Sequence, residues 1–313
     1  MPAFQYHLGN NSHTVLILLS YEGDGGRESG LGNTHSLSDK DGAYGLLLHL
    51  YAKQKNEQMT DFSIIIPAYQ HLTLLQKSLS SVLQQEGVSF EVIVTDDSED
   101  SLIMHYVEGL ADKRVKYLRH DRDRHPVSNW NYGLRQVSGK YVILMHHDES
   151  MWEKDYLKRV MQHLDEGVDV VVTHIEVFFN NRKKTDRFPP SLRRFIYKHP
   201  ASLFLFNAVG PTACVAFRRE HLQMLHTELV WLVDVEWYYR LFHNKRVCYL
   251  EDCHIKSVHG HEGQISSSIN VMESFKKDKS ILCHIYADKF SIRLMLFLYQ
   301  HLILGTKKIL KRI

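Results

Sequence analysis

Glu91-Val92-Ile93-Val94-Thr95-Asp96-Asp97-Ser98 decides the fold. Its apolar run is short and β-branched, the pattern of a parallel strand buried on both faces. A second stretch of the same kind follows, Lys140-Tyr141-Val142-Ile143-Leu144-Met145-His146-His147-Asp148-Glu149. Carboxylates directly after such strands fall in the crevice beyond the C-terminal strand ends, where open α/β sheets bind ligands. One acidic pair alone also reads as a helix cap. Two of them, separated by a helix–strand–helix passage, point to a site.

Working outward, Ser63-Ile64-Ile65-Ile66-Pro67 is a strand ended by proline. The spacing of Leu74, Leu75, Leu79, Val82 and Leu83 predicts a helix from about Leu72 to Gln85. Helices at Ser101–Ala111, Asn129–Val137 and Lys154–Leu164 alternate with strands at Glu91–Thr95, Val115–Leu118, Tyr141–Met145 and Val168–Phe179. This alternation predicts an α/β fold with a doubly wound, mostly parallel sheet flanked by helices. After Asn180 the pattern lapses into a basic loop, Asn181–Pro190, and helical sequence at Ser191–Phe206. Strands are expected at Pro211–Phe217 and Arg246–Leu250, with a short helix, Asp234–Phe242, between them. Asp252–Gln264 reads as a His-rich loop, and Val271–Ala287 as a helix. The tail, Phe290–Ile313, is a helix rich in Leu, Ile and Phe that ends in Lys307, Lys308, Lys311 and Arg312.

With 313 residues the chain holds one large α/β domain with additions. A formal charge of +2 argues against nucleic acid as a partner. Four cysteines, all late and unevenly spaced, suit free thiols in a reducing compartment. No basic segment precedes an apolar core and cleavage site, and no apolar run reaches the ~18 residues of a membrane span. The chain therefore reads as cytoplasmic. Residues 1–58 differ in texture from the rest and read as a poorly ordered or dispensable N-terminal extension. Within them Gly23-Asp24-Gly25-Gly26 misses the spacing of a dinucleotide turn, because Glu28 holds the sixth position. The main domain is expected over 59–268 and a C-terminal helical extension over 269–313.

Several motifs in order carry a resemblance: Ile64-Ile65-Ile66-Pro67-Ala68-Tyr69; Val94-Thr95-Asp96-Asp97-Ser98; Asn129-Trp130-Asn131-Tyr132-Gly133-Leu134 with Gly139-Lys140-Tyr141; His146-His147-Asp148-Glu149; and Val233-Asp234-Val235-Glu236-Trp237 with Arg240. Together they resemble the inverting nucleotide-sugar glycosyltransferases of family two, which have the GT-A fold. The resemblance spans about Phe62 to Ser267. It implies transfer of a sugar from a nucleotide-diphosphate donor, UDP-type, to a glycan or lipid-linked acceptor. Pro67, Tyr69, Asp96, Asp97, Asn131 and Arg240 are then the donor-binding candidates. Among them Tyr69 offers an aromatic face to the nucleobase, and Asp97 accepts its imino N–H as the matching family residue does.

Asp148 holds the place of the conserved metal-binding carboxylate. A divalent cation there offsets diphosphate charge and stabilises the departing nucleoside diphosphate. His146 replaces the first aspartate of the family's DxD motif, which makes it a candidate ligand together with His261. Mn²⁺ tolerates imidazole better than Mg²⁺ does. Asp234 is the candidate general base that takes the acceptor proton, with Glu236 as its rival. The basic loop and Asn207–Phe217 are expected to border the acceptor. The C-terminal helix suits shallow attachment to an anionic inner leaflet. Three alternatives stand beside this reading. A nucleotidyltransferase needs a Gly-rich phosphate loop after the first strand, which Pro67-Ala68-Tyr69-Gln70 is not. A non-catalytic nucleotide-sugar-binding protein is consistent with the missing aspartate. A structural zinc site from Cys248, Cys253, His254, His259 and His261 has suitable ligands at unfamiliar spacing.

Overall fold

The computed structural model describes residues 60–121, 123–179, 182–183, 188–260 and 269–304. The expected N-terminal extension, His261 and the basic end of the tail lie outside them. All described residues belong to one compact unit, Lys55–Ile313.

The predicted alternation is present. Strand β1 (Phe62–Ala68), helix α1 (Leu72–Leu83), β2 (Phe90–Asp96), α2 (Leu102–Gly109), β3 (Val115–Arg119), α3 (Pro126–Leu134) and β4 (Tyr141–Leu144) follow one another. Every residue of β1, β2 and β4 is buried, as expected of strands with helices on both faces. α1 turns Leu75, Leu79 and Val82 into the core. Two glycines set how closely these layers approach. A Cβ on Gly133 of α3 would collide with Ile65 of β1 and stand 3.0 Å from Thr95 Cγ2 of β2. One on Gly139 would lie 2.6 Å from the Phe62 backbone.

The second half is built differently. Short β5 (Glu149–Met151), α4 (Tyr156–Asp165), β6 (Val170–Phe179), β7 (Arg182–Lys183), α5 (Pro190–Lys198) and β8 (Val215–Arg218) are followed by α6 (Val233–Phe242), β9 (Val247–His259), α7 (Val271–Ile285) and α8 (Phe290–Leu298). The strand order is β3-β2-β1-β4-β8-β6-β9-β5, with β7 on the side of β6. β1, β2, β3 and β4 are mutually parallel, and so are β6 and β9. The sheet is thus mixed but mostly parallel. β6 does not join β4; β8 stands between them, antiparallel to both. β8 itself starts after a 3-10 turn, Thr212–Cys214, where strand was expected from Pro211.

One sequence expectation is corrected. The region read as a His-rich loop is, from Asp252 to His259, the second part of the 13-residue strand β9. The register along β6 jumps from Thr173↔Leu250 to His174↔His254, so Glu251, Asp252 and Cys253 form a bulge. Beyond it Ile255 and Ser257 are buried, while Lys256 and Val258 on the other face are half-buried. The polar residues at alternate positions hid the strand.

Beneath β1 and β2, Glu91 accepts hydrogen bonds from Ser63 Oγ at 2.6 Å, Ser138 Oγ at 2.6 Å, Ser138 N–H at 2.8 Å and Lys116 Nζ at 2.7 Å. Burial opposes its charge, but bonds from Lys116, Ser138 and Ser63 outweigh it and hold the carboxyl down at about 2. The associated stability is present above the ordinary glutamate range and lost as pH falls through about 2. Glu91→Gln is expected to lower unfolding free energy by about 1–3 kcal/mol. A urea titration at neutral pH checks this, and an unchanged midpoint would contradict it.

Candidate functional site

The C-terminal ends of β2, β1 and β4 stand side by side, since β1 pairs with both neighbours in parallel. The Asp96-Asp97 and His146–Asp148 segments therefore share one edge of the sheet, with Pro67 and Tyr69 between them. Asp96 is fully buried and accepts from Ser98 N–H at 2.8 Å, Tyr117 OH at 2.8 Å and Arg119 at 3.4 Å. Its carboxylate is spent on shaping the turn after β2, which fits an orienting role. Asp97 is bound at 2.7 Å by His120 Nδ1–H, and the His120 ring lies 5.3 Å from that of Tyr132. Burial pushes the Asp97 carboxyl up, against the pull of His120. Tyr69 is 42% exposed at the rim. Pro67 is buried, and its carbonyl accepts from His147 Nδ1–H at 3.2 Å, tying the β1 and β4 ends together.

At the end of β4, Glu149 is buried and accepts from the His146 backbone N–H at 2.9 Å. Its Oε1 also lies 3.6 Å from His146 Nδ1. The His146 ring packs against Trp130 of α3 at 4.6 Å, and its Nε2 is buried without a hydrogen-bond partner among the described residues. Burial opposes protonation of His146. The charges of Glu149, Asp148 and Asp234 overcome it and push the imidazole up to about 9. These carboxylates favour the imidazolium form of His146, and both Asp148 and Asp234 are near enough for it to feel their charge.

Asp234 stands in the first turn of α6 and is half-buried. Burial raises its carboxyl, with His146 opposing. Among the described residues it has no hydrogen-bond partner. The last strand also reaches this edge: Val258 N–H of β9 bonds the Asp148 carbonyl at 3.1 Å. β9 ends at His259, two positions before His261, which itself lies outside the described residues.

Three sequence candidates are used elsewhere. The Asn131 amide clamps the backbone of Leu225, donating to its carbonyl at 2.9 Å and accepting from its N–H at 2.8 Å. Arg240 forms a fork with Glu236, at 2.7 and 2.8 Å, and also bonds Gln223 and Met224. Glu236 is fully buried and accepts from Tyr286 OH at 2.6 Å as well. Glu236 is thus held by an arginine and a tyrosine inside the fold, whereas Asp234 has no such partners among the described residues. The physical reason is local: Glu236 and Arg240 are four apart on one helix and find each other first. His120 is not singled out in the sequence, and Trp130 and Glu149 stand in its motifs without an assigned role. Only the three-residue spacing of His146 and Glu149 offered a signal.

For a divalent cation, the described donors are Asp148 and His146, whose unpartnered Nε2 is buried. Among the described residues no group of three or more His, Cys, Asp or Glu is arranged to hold a metal ion. Asp148 and His146 are the described residues that would hold such a cation, which would offset diphosphate charge, on condition that His146 first lost its proton. The zinc alternative finds no support among the described residues, where Cys248, Cys253, His254 and His259 form no such group either; His261 lies outside them.

Comparison with known proteins agrees with this geometry. The family model described as Glycosyl transferase family 2 matches residues 63–225. The succinoglycan biosynthesis protein ExoO of Rhizobium meliloti is 27% identical over 122 residues, 39% of this chain and 35% of that protein. The GalNAc(5)-diNAcBac-PP-undecaprenol beta-1,3-glucosyltransferase of Campylobacter jejuni is 32% identical over 112 residues, 35% of this chain and 36% of that protein. The chain thus spans about a third of the length of these relatives. S. aureus TarS, solved in complex with UDP-GlcNAc, superposes with a TM-score of 0.61 at 21% identity, covering 78% of this chain and 73% of that one. That likeness shows the fold, which is GT-A. Since the family match takes in just over half of the 313 residues and includes both acidic strand ends, the chain belongs to glycosyl transferase family 2.

Proposed function

We propose that this protein transfers a sugar, with inversion, from a UDP-type donor to a glycan or lipid-linked acceptor. The observation that carries the reading is the end of β4, where half-buried His146 lies 3.6 Å from Glu149 and within reach of the charges of Asp148 and Asp234. Asp97 lies at the same sheet edge and is aimed by His120 to accept an N–H of the base. Tyr69 offers its ring at the rim, and Asp148 lies beside the diphosphate. A divalent cation held by Asp148, with His146 and His261 as further ligands, supplies charge neutralisation on the diphosphate when bound. Asp234 takes the proton of the attacking acceptor hydroxyl. Its raised carboxyl makes it a better base near neutral pH than an ordinary aspartate.

A lipid-linked acceptor is suggested by relatives, since the names of the C. jejuni protein and of E. coli WfgD carry acceptors linked to undecaprenol diphosphate. The test is incubation of purified protein with UDP-sugars, Mn²⁺ and undecaprenyl-diphosphate-linked acceptors. Transfer with inverted anomeric configuration supports the reading. UDP binding without transfer to any acceptor would favour a non-catalytic nucleotide-sugar-binding protein.

The reading includes a cytoplasmic location with contact to the inner leaflet. No described helix is long and apolar enough to cross a membrane. α8 buries Ile292 and Leu296 but turns Phe290, 74% exposed, and Phe297, 50% exposed, outward. Leu294 and Leu302 are exposed too, with Lys276, Lys277, Lys289 and Arg293 exposed on the same pair of helices. This face suits an anionic bilayer. The protein is expected to co-sediment with phosphatidylglycerol vesicles but not phosphatidylcholine vesicles. Phe290→Ser with Phe297→Ser should weaken that binding at least ~10-fold. Equal binding by the double variant would remove α8 from the contact.

A further inference from the structure

α6 begins without a cap of its own. Its N-cap is Leu232, whose side chain has no acceptor, and the three backbone N–H groups just ahead of the first helical residue are held from elsewhere. Asp278, in the middle of α7, holds them. Its Oδ1 accepts from Val230 N–H at 3.0 Å, and its Oδ2 accepts from Trp231 N–H at 2.7 Å and Leu232 N–H at 2.8 Å. The Asp278 side chain is fully buried. Among the described residues no lysine, arginine or histidine pairs with it; backbone N–H groups and the positive end of the α6 dipole offset its charge. A buried carboxylate is costly unless fully bonded, so the arrangement holds residues 230–232 in one place. Asp234 comes two residues after Leu232. Tyr286, just past the end of α7, reaches the same helix through its 2.6 Å bond to Glu236.

We propose that Asp278 is a positioning residue for Asp234. By gripping the entry to α6 from a helix far along the chain, it sets where the base stands relative to the acceptor oxygen. This rests on the reading of Asp234 as the base. It also gives α7 a part in turnover, although that helix carries no residue of the site.

The test is a double-mutant cycle on the full chain, with Asp234→Asn, Asp278→Asn and the combined variant. UDP affinity is measured by calorimetry, and kcat with saturating donor and acceptor. Asp278→Asn should leave UDP affinity within ~2-fold while kcat falls ~10- to 100-fold, the sensitivity expected of a small misplacement. In the Asp234→Asn background the same change should lower residual turnover less than ~2-fold. Losses that multiply, an unchanged kcat, or UDP affinity falling in step with kcat would each overturn the proposal. If Asp234→Asn alone turns over normally, the base assignment has failed, and the positioning role with it. Should Asp278→Asn not fold, Asp278→Ser, which keeps one short acceptor, is read in the same cycle.

Discussion

Asp234→Asn should bind UDP-sugar within about twofold of wild type while kcat falls at least ~100-fold. The asymmetry follows from where the residue stands. Its carboxylate is half-buried in the first turn of α6, and among the described residues nothing is hydrogen-bonded to it. Removing its charge therefore breaks no hydrogen bond among the described residues. An amide of the same shape keeps the packing and loses only the capacity to accept a proton. The pH dependence gives a second reading. Burial raises the Asp234 carboxyl, so the acid limb of kcat should lie above the ordinary aspartate range, with activity rising as pH climbs through it. Asp234→Asn should abolish that limb. His146→Gln should move it further up, because the imidazolium beside Asp234 favours its ionised form. Equal loss of binding and turnover in Asp234→Asn would make it a folding or binding residue instead.

Asp148→Ala should eliminate the metal-dependent part of UDP affinity. Outer-sphere partners of a metal typically contribute 10- to 100-fold, so loss of the principal carboxylate should cost at least ~100-fold in the presence of Mn²⁺. In EDTA, wild type and variant should bind alike. His146 sharpens the experiment. With its imidazolium form favoured up to about 9, it must release a proton before it can ligate a metal. Apparent Mn²⁺ affinity should therefore tighten between pH 7 and 9, and Asp148→Ala should flatten that slope as well. Undiminished Mn²⁺-dependent binding by Asp148→Ala would remove the metal assignment.

Much of the fold was legible because its first half obeys simple periodicities. Strands β1, β2 and β4 are short apolar runs rich in Ile and Val, and α1 shows its buried stripe at helical spacing. β9 was hidden because its outer half alternates polar with buried residues after a three-residue bulge, which local hydrophobicity cannot separate from a loop. The insertion of β8 between β4 and β6 is a matter of pairing, to which the strand sequences are indifferent. The acidic strand ends were readable because topology alone brings them to one edge. Partner choice was not. His120 meets Asp97 across 23 positions and Asn131 meets Leu225 across 94. Arg240 could have been assigned to Glu236 from the four-residue spacing alone, before any substrate was considered.

The central claim is that Asp97, Asp148 and Asp234 serve one bound donor. A crystal structure of the protein with a non-hydrolysable UDP-sugar and Mn²⁺ tests it most directly. The account predicts uracil against Asp97 and Tyr69, diphosphate beside Asp148 and His146, and the open face of the anomeric carbon turned toward Asp234. A donor seated away from the β2–β1–β4 edge, or an anomeric carbon facing away from α6, would contradict it.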